Sequence, residues 1–169
     1  MNFKHLGSMT RCGIIMALLV LLVFPVSASM VSFMVVETGL NDEIVSSQYA
    51  SLWEGGLMEA FFNAGHIVTN CPITRMDKKP TTDLSGSIRN DFNEAIEGGA
   101  EYFILGYLEH QIQGRSAVPT EITIKLYRTD SQELIFEQIF PAGTGRNLNE
   151  EYQLAQNAAR LIIANIKDR

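Results

Sequence analysis

Hydrophobic positions along this chain change period several times, and each change marks an element. Val31 to Val36 ("VSFMVV") is a short apolar run rich in β-branched and aromatic residues, followed by a polar stretch from Glu37 to Ser46; this predicts a buried first strand. From Tyr49 the period lengthens. Tyr49, Leu52, Trp53, Leu57, Ala60, Phe61 and Ala64 form one helical stripe, which predicts a helix from Gln48 to Ala64. Ser46 or Ser47 is placed to cap it and Gly65 to stop it in the left-handed region. Gly55-Gly56 inside that helix costs about 1 kcal/mol per glycine relative to alanine, so the pair needs a packing reason such as close approach to the sheet. His66 to Thr69 reads as a short second strand, and Asn70 to Ser85, polar with Pro72 and Pro80, reads as a loop.

The second half continues in the same grammar. Ile88, Phe92, Ala95 and Ile96 share one face of a helix from Ser87 to Glu97, and Gly98-Gly99 ends it. Tyr102 to Leu108 is apolar on both faces, hence a central strand covered twice, and Gly106 within it admits a close neighbour. Glu121 to Arg128 ("EITIKLYR") alternates: Ile122, Ile124 and Leu126 face one way, Thr123, Lys125 and Tyr127 the other. With Leu134 to Phe140 and the turn "TDSQE" it predicts an antiparallel hairpin with one wetter face. Asn147 and Glu150 form a capping-box start for a last helix, whose stripe is Leu148, Tyr152, Ala155, Ala159, Ile162 and Ile166. The expected fold class is α/β, a mixed β-sheet packed with helices in the order β-α-β-α-β-β-β-α.

The first residues follow other rules. Lys4 and Arg11 precede a 12-residue apolar run, Gly13 to Phe24, and then Pro25 and the small residues Val26 to Ser29. That order is a secretory signal peptide, with the cut expected between Ala28 and Ser29. The run is shorter than the roughly 20 residues of a spanning helix, so membrane contact is expected to be at most peripheral. No cysteine stands where a lipid would be attached, since Cys12 precedes the run. The chain divides into a leader, residues 1–28, and a single α/β domain, residues 29–169, exported to the periplasm or cell envelope. Cys71 is the one cysteine of that domain, which excludes an internal disulfide framework and reads as a small apolar filler near a strand end.

Charge narrows the partners. The whole chain carries −6, and its first 28 residues hold two basic and no acidic side chains, so the domain carries −8. Such a balance argues against nucleic acid. The densest basic patch is Arg75, Lys78 and Lys79, interrupted by Asp77; such a run is ordinarily a solvated loop, and as a site it is the candidate contact for an acidic partner or an anionic surface polymer.

Motifs for chemistry are missing. There is no phosphate loop, dinucleotide fingerprint, nucleophile elbow or metal-ligand spacing. The loop "PAGTGRN" (Pro141 to Asn147) leads into a helix N-terminus, but Glu150 and Glu151 already complement that positive end. Glu109 and His110 are adjacent on a strand and point to opposite faces. No catalytic, metal-binding or cofactor-binding residues are therefore assigned, and no cofactor is expected. Trp53 sits on the apolar stripe and reads as core. A rival reading is a periplasmic small-ligand binder or hydrolase with a cleft near Glu37, Glu109 and Arg128.

The segment "AIEGGAEYFILGYLEHQIQG", then "ITIKLYRTDSQELIFEQIF" and an alanine-rich terminal helix, resembles envelope domains of the group that includes the TolB amino-terminal domain, the curli secretion channel CsgG and the LpoB activator of penicillin-binding proteins. The matching pieces are Val31 to Val36, Leu57 to Val68, Gly99 to Gly106 and Ile122 to Phe140. The chain departs from the group in lacking the lipid-bearing cysteine of the CsgG and LpoB types and the glycine often found in the hairpin turn. Membrane-inserting hairpins and propeller repeats are also missing. The resemblance implies a non-enzymatic envelope accessory module that binds protein partners through a sheet edge or the loops at residues 38–46, 70–86 and 112–120. Fold analogy leaves the binding site to be located.

Overall fold

The computed structural model describes residues 28–40, 48–113, 116–143 and 145–166. Within them run β1 (Met30–Thr38), α1 (Gln48–Asn63), β2 (Ile67–Asn70), β3 (Thr74–Met76), α2 (Gly86–Glu97), β4 (Tyr102–Gln113), β5 (Ser116–Arg128), β6 (Leu134–Pro141) and α3 (Leu148–Ile163). The apolar leader run, the Ser46 or Ser47 cap and most of the 38–46 loop lie outside the described residues.

The six strands form one mixed sheet in the order β2-β1-β4-β5-β6, with β3 also paired to β1. Two short strands share one edge of β1: β2 pairs with Met30 to Phe33, β3 with Val36 to Thr38. All three neighbours of β1 are parallel to it, whereas β4, β5 and β6 form an antiparallel meander. From β1 the chain crosses to β2 on one side; from β3 it crosses back over β1 to β4 on the other. Right-handed crossovers in opposite directions require helices on opposite faces of the sheet.

The two cores show that arrangement. Val31, Phe33, Val35, Ile104, Leu108, Ile122, Ile124 and Leu126 pack with Trp53 and Phe61 of α1 and Ala155, Ala159 and Ile162 of α3. The alternate residues Met34, Val36, Phe103, Leu105, Tyr107 and Tyr127 pack with Ile88 and Phe92 of α2. β1 and β4 are thus covered on both sides, as their uninterrupted apolar runs require. The Gly55-Gly56 pair has a different reason from close approach to the sheet. A Cβ at Gly56 would lie 2.7 Å from that of Ala155, so the glycine lets α1 and α3 touch.

Three features differ from the sequence reading. β3 lies inside the stretch expected to be loop, because three residues pairing along an edge need no apolar pattern. β4 and β5 continue to Gln113 and Ser116, so most of the expected 112–120 loop is a ladder. Gln111 and Gln113 near its end are polar and exposed, which hides it from a hydrophobicity argument. Pro119, which cannot donate to a ladder, sits opposite His110 where the register shifts. Finally, the expected wet face of the hairpin is covered: Thr123, Lys125 and Tyr127 are all buried.

Candidate functional site

In an open α/β sheet, ligand and partner sites form beyond the carboxyl ends of parallel strands, where crossovers diverge. Here that point is the end of β1, flanked by β3 and β4. One face of the sheet carries a polar cluster there, and the other carries one that begins there at Lys79 and Glu109 and runs back along β5 to Lys125 and Tyr127, level with Met34 and Ser32 of β1.

The first cluster is built on Glu37. Its register partner across the edge is Arg75, and the two side chains form an ion pair at 3.4 Å. On the other side, just past the β-bulge that follows Glu109, His110 shares the face of β4 that carries Leu108 and lies under the same carboxylate, with Nε2 3.6 Å from Glu37 Oε1. His110 Nδ1 lies 3.3 Å from the Thr38 carbonyl. Glu37 is fully buried, and so is the imidazole. Burial pushes the His110 pKa down; Glu37 and the Thr38 carbonyl oppose that shift, and Arg75 adds to it. Gly39, at positive φ, lies where a side chain would run into the His110 carbonyl, which locks the exit of β1 against the bulge.

The second cluster lies on the opposite face, under the strap of residues 77–85 that links β3 to α2. Asp83 Oδ2 accepts from Lys125 Nζ at 2.7 Å and from Tyr127 Oη at 2.6 Å. Lys125 also reaches Glu137 on β6 at 3.2 Å. Lys79 Nζ donates to Thr123 Oγ1 at 3.2 Å, stands 3.9 Å from Glu109 and lies over the Tyr107 ring. Burial works against ionisation of Asp83, but the hydrogen bonds from Lys125 and Tyr127 outweigh it and hold the carboxyl below its ordinary range. Burial likewise works against the Lys125 ammonium and is outweighed by Asp83 and Glu137, leaving its pKa raised. Burial and the Asp83 charge raise both phenols, Tyr107 and Tyr127.

These contacts separate the residues of the basic patch. Arg75 and Lys79 belong to opposite faces and are tied to Glu37 and to Thr123, while Lys78 is exposed. Glu109 and His110 do point to opposite faces, toward Lys79 and Glu37. The rival cleft does not assemble: Arg128 pairs with Tyr102 at the far end of β4 and stacks on its ring. Cys71 is buried, 3.7 Å from Ser32 Oγ, and burial raises its thiol pKa. Trp53 is in the core. Asp83, Lys125 and Tyr127 were not singled out in the sequence; the usable signal was a lysine flanked by Thr123 and Tyr127 on one strand face, opposite a loop aspartate that only the fold brings near. Among the described residues no helix is long and apolar enough to cross a membrane, and no group of His, Cys, Asp or Glu is placed to hold a metal.

The fold recurs among solved structures. No family model and no characterised protein sequence matches the chain. Among solved structures it is similar to the PelC dodecamer from Paraburkholderia phytofirmans at 11% identity, covering 84% of this chain and 90% of that one, with a TM-score of 0.51. TolB from Acinetobacter baumannii matches at 11% identity over 84% of this chain and 30% of its own, with a TM-score of 0.42. The LpoB C-terminal domain from Salmonella enterica matches at 15% identity over 71% and 87%, also at 0.42. Resemblance to the TolB and LpoB group, expected from the strand motifs, is thus present in the solved structures.

Proposed function

We propose that this chain is an exported, non-enzymatic accessory module of the cell envelope that binds protein partners at the β1 end of its sheet. The observation that carries the reading is how the polar groups there and beneath the adjoining strap are used. Glu37 is consumed by Arg75 and His110, Asp83 by Lys125 and Tyr127, and Lys79 by Thr123. These contacts fasten β3, the strap and the β4–β5 ladder to one another, as a binding scaffold needs. The fold shared with PelC supports the same reading, and because that protein is a dodecamer, a second copy is among the partners to be tested.

Crosslinking in cells, followed by identification of the captured chains, tests the proposal. A tagged exported protein should reproducibly capture one envelope protein or a differently tagged copy of itself. The charge reversal Lys78→Glu should weaken capture without changing stability, because Lys78 is exposed. Failure to capture anything above an exported control protein would overturn the reading.

A further inference from the structure

Lys125 stands in the middle of β5, between β4 and β6, with its side chain only 11% exposed. A buried ammonium must be paired, and one of its two partners comes from an irregular segment. Among the described residues, no backbone hydrogen bond ties residues 77–82 to the sheet. The strap is held by side chains: Asp83 on Lys125 and Tyr127, Lys79 on Thr123, and buried Leu84.

Three donors beneath the strap gather around Asp83, and one of them is poorly satisfied. Lys125 Nζ and Tyr127 Oη both converge on one oxygen, Oδ2. The Tyr107 hydroxyl on the same face is fully buried and makes no well-formed hydrogen bond, although Asp83 is close enough to raise its pKa. In a chain of net charge −6, an ammonium and two phenols gathered on one sheet face select an anion, and Asp83 shows that a carboxylate fits. We propose that the strap plugs a carboxylate-binding site, and that an acidic side chain of a protein partner replaces Asp83 on Lys125, Tyr127 and Tyr107. The identity of the ligand as a partner's side chain rests on the accessory-module reading; the carboxylate site does not.

The test is an NMR titration of the exported protein and its Asp83→Asn variant at neutral pH, first with acetate and then with an end-capped acidic hexapeptide. Removing the internal competitor should strengthen acetate binding by about tenfold or more, since apparent affinity falls with the fraction of open sites. The shifts should saturate at Lys125, Tyr127 and Tyr107 and vanish in the double variant Asp83→Asn, Lys125→Met. A folded Asp83→Asn protein with no saturable shift, or shifts that survive the second substitution, would overturn the site. Tighter binding of the peptide than of acetate to the unmodified protein supports a partner's side chain; equal binding overturns that source. Should Asp83→Asn not fold, the same peptide titration of the unmodified protein decides: saturating shifts along residues 78–85 support the proposal and their absence sinks it. Partner capture in cells without carboxylate binding here would overturn this site and leave the accessory-module reading standing.

Discussion

The indole Nε1 of Trp53 donates to the buried Oε1 of Glu151 at 2.8 Å, which fixes α1 to the first turn of α3. The same carboxylate accepts from the Gly143 amide and from Arg146 Nε, each at 3.0 Å. One side chain therefore sets the helix pair and the β6–α3 loop together. Removing it leaves the indole and the Gly143 amide without an acceptor, at about 1–3 kcal/mol for each orphaned donor. Glu151→Ala should therefore cost roughly 2–6 kcal/mol in urea unfolding. Trp53 is the chain's one tryptophan, so its fluorescence reports the transition directly.

Gly56→Ala sets two effects against each other. Helix propensity favours alanine by about 1 kcal/mol. Packing opposes it, because the new Cβ would sit 2.7 Å from Ala155 Cβ and 3.1 Å from the Tyr152 carbonyl, neither of which can swing away. Overpacking costs about 1–3 kcal/mol, so the net change should be destabilising. At Gly55 the nearest atom is 3.7 Å away, and Gly55→Ala should be neutral or stabilising. Unfolding midpoints of the two variants moving in the same direction would refute this account.

How much of this was readable in the sequence follows from range. The stripes of α1, α2 and α3, the apolar β1 and β4, and the Asn147–Glu150 capping box are local patterns, and each element is found where its pattern lies. Local reasoning also separated Glu109 from His110. It missed β3 because an edge strand of three residues has no periodicity to detect. It took Thr123, Lys125 and Tyr127 for a wet face because alternation says which residues share a face and nothing about what covers it. The pairs Asp83 with Lys125 and Glu37 with His110 are 42 and 73 positions apart and depend on the crossover directions and the strand register.

His110 should make the fold sensitive to mild acid. Its folded pKa lies below the ordinary 6.5, so the unfolded chain takes up the proton first as pH falls. Stability should therefore be full above about pH 6.5 and decline below it, by at most about 1.4 kcal/mol per pH unit, until the folded imidazole also protonates. Comparing urea midpoints between pH 7.5 and 5.5 checks the sign. The His110→Gln variant should lose that part of the slope.

Asp83 acts in a lower window. Its folded pKa is below the ordinary carboxylate value, so its contribution is present above about pH 4 and disappears as pH falls through the folded value. Asp83→Asn should accordingly be less stable than the unmodified chain at pH 7, and the gap should close in acid. A gap that stays constant from pH 7 to pH 3 would show that the loss comes from packing rather than from charge.

Gly106 gives a graded test of the central strand. A Cβ there would meet Ile122 Cδ1 at 3.3 Å and Val35 Cγ2 at 3.8 Å, so the tightest neighbour is the end of a side chain that can turn. Gly106→Ala adds one methyl against that movable group and removes a flexible residue from a strand, so it should change stability by less than about 1 kcal/mol. Gly106→Val adds two further methyls to a layer already filled by Ile122, Ile124 and Val35 beneath α1 and α3. There the excess volume can be accommodated only by moving the helix layer, at about 1–3 kcal/mol. If valine were tolerated as well as alanine, the face of β4 at Gly106 would not be the packed interior that the Trp53 and Glu151 latch holds shut.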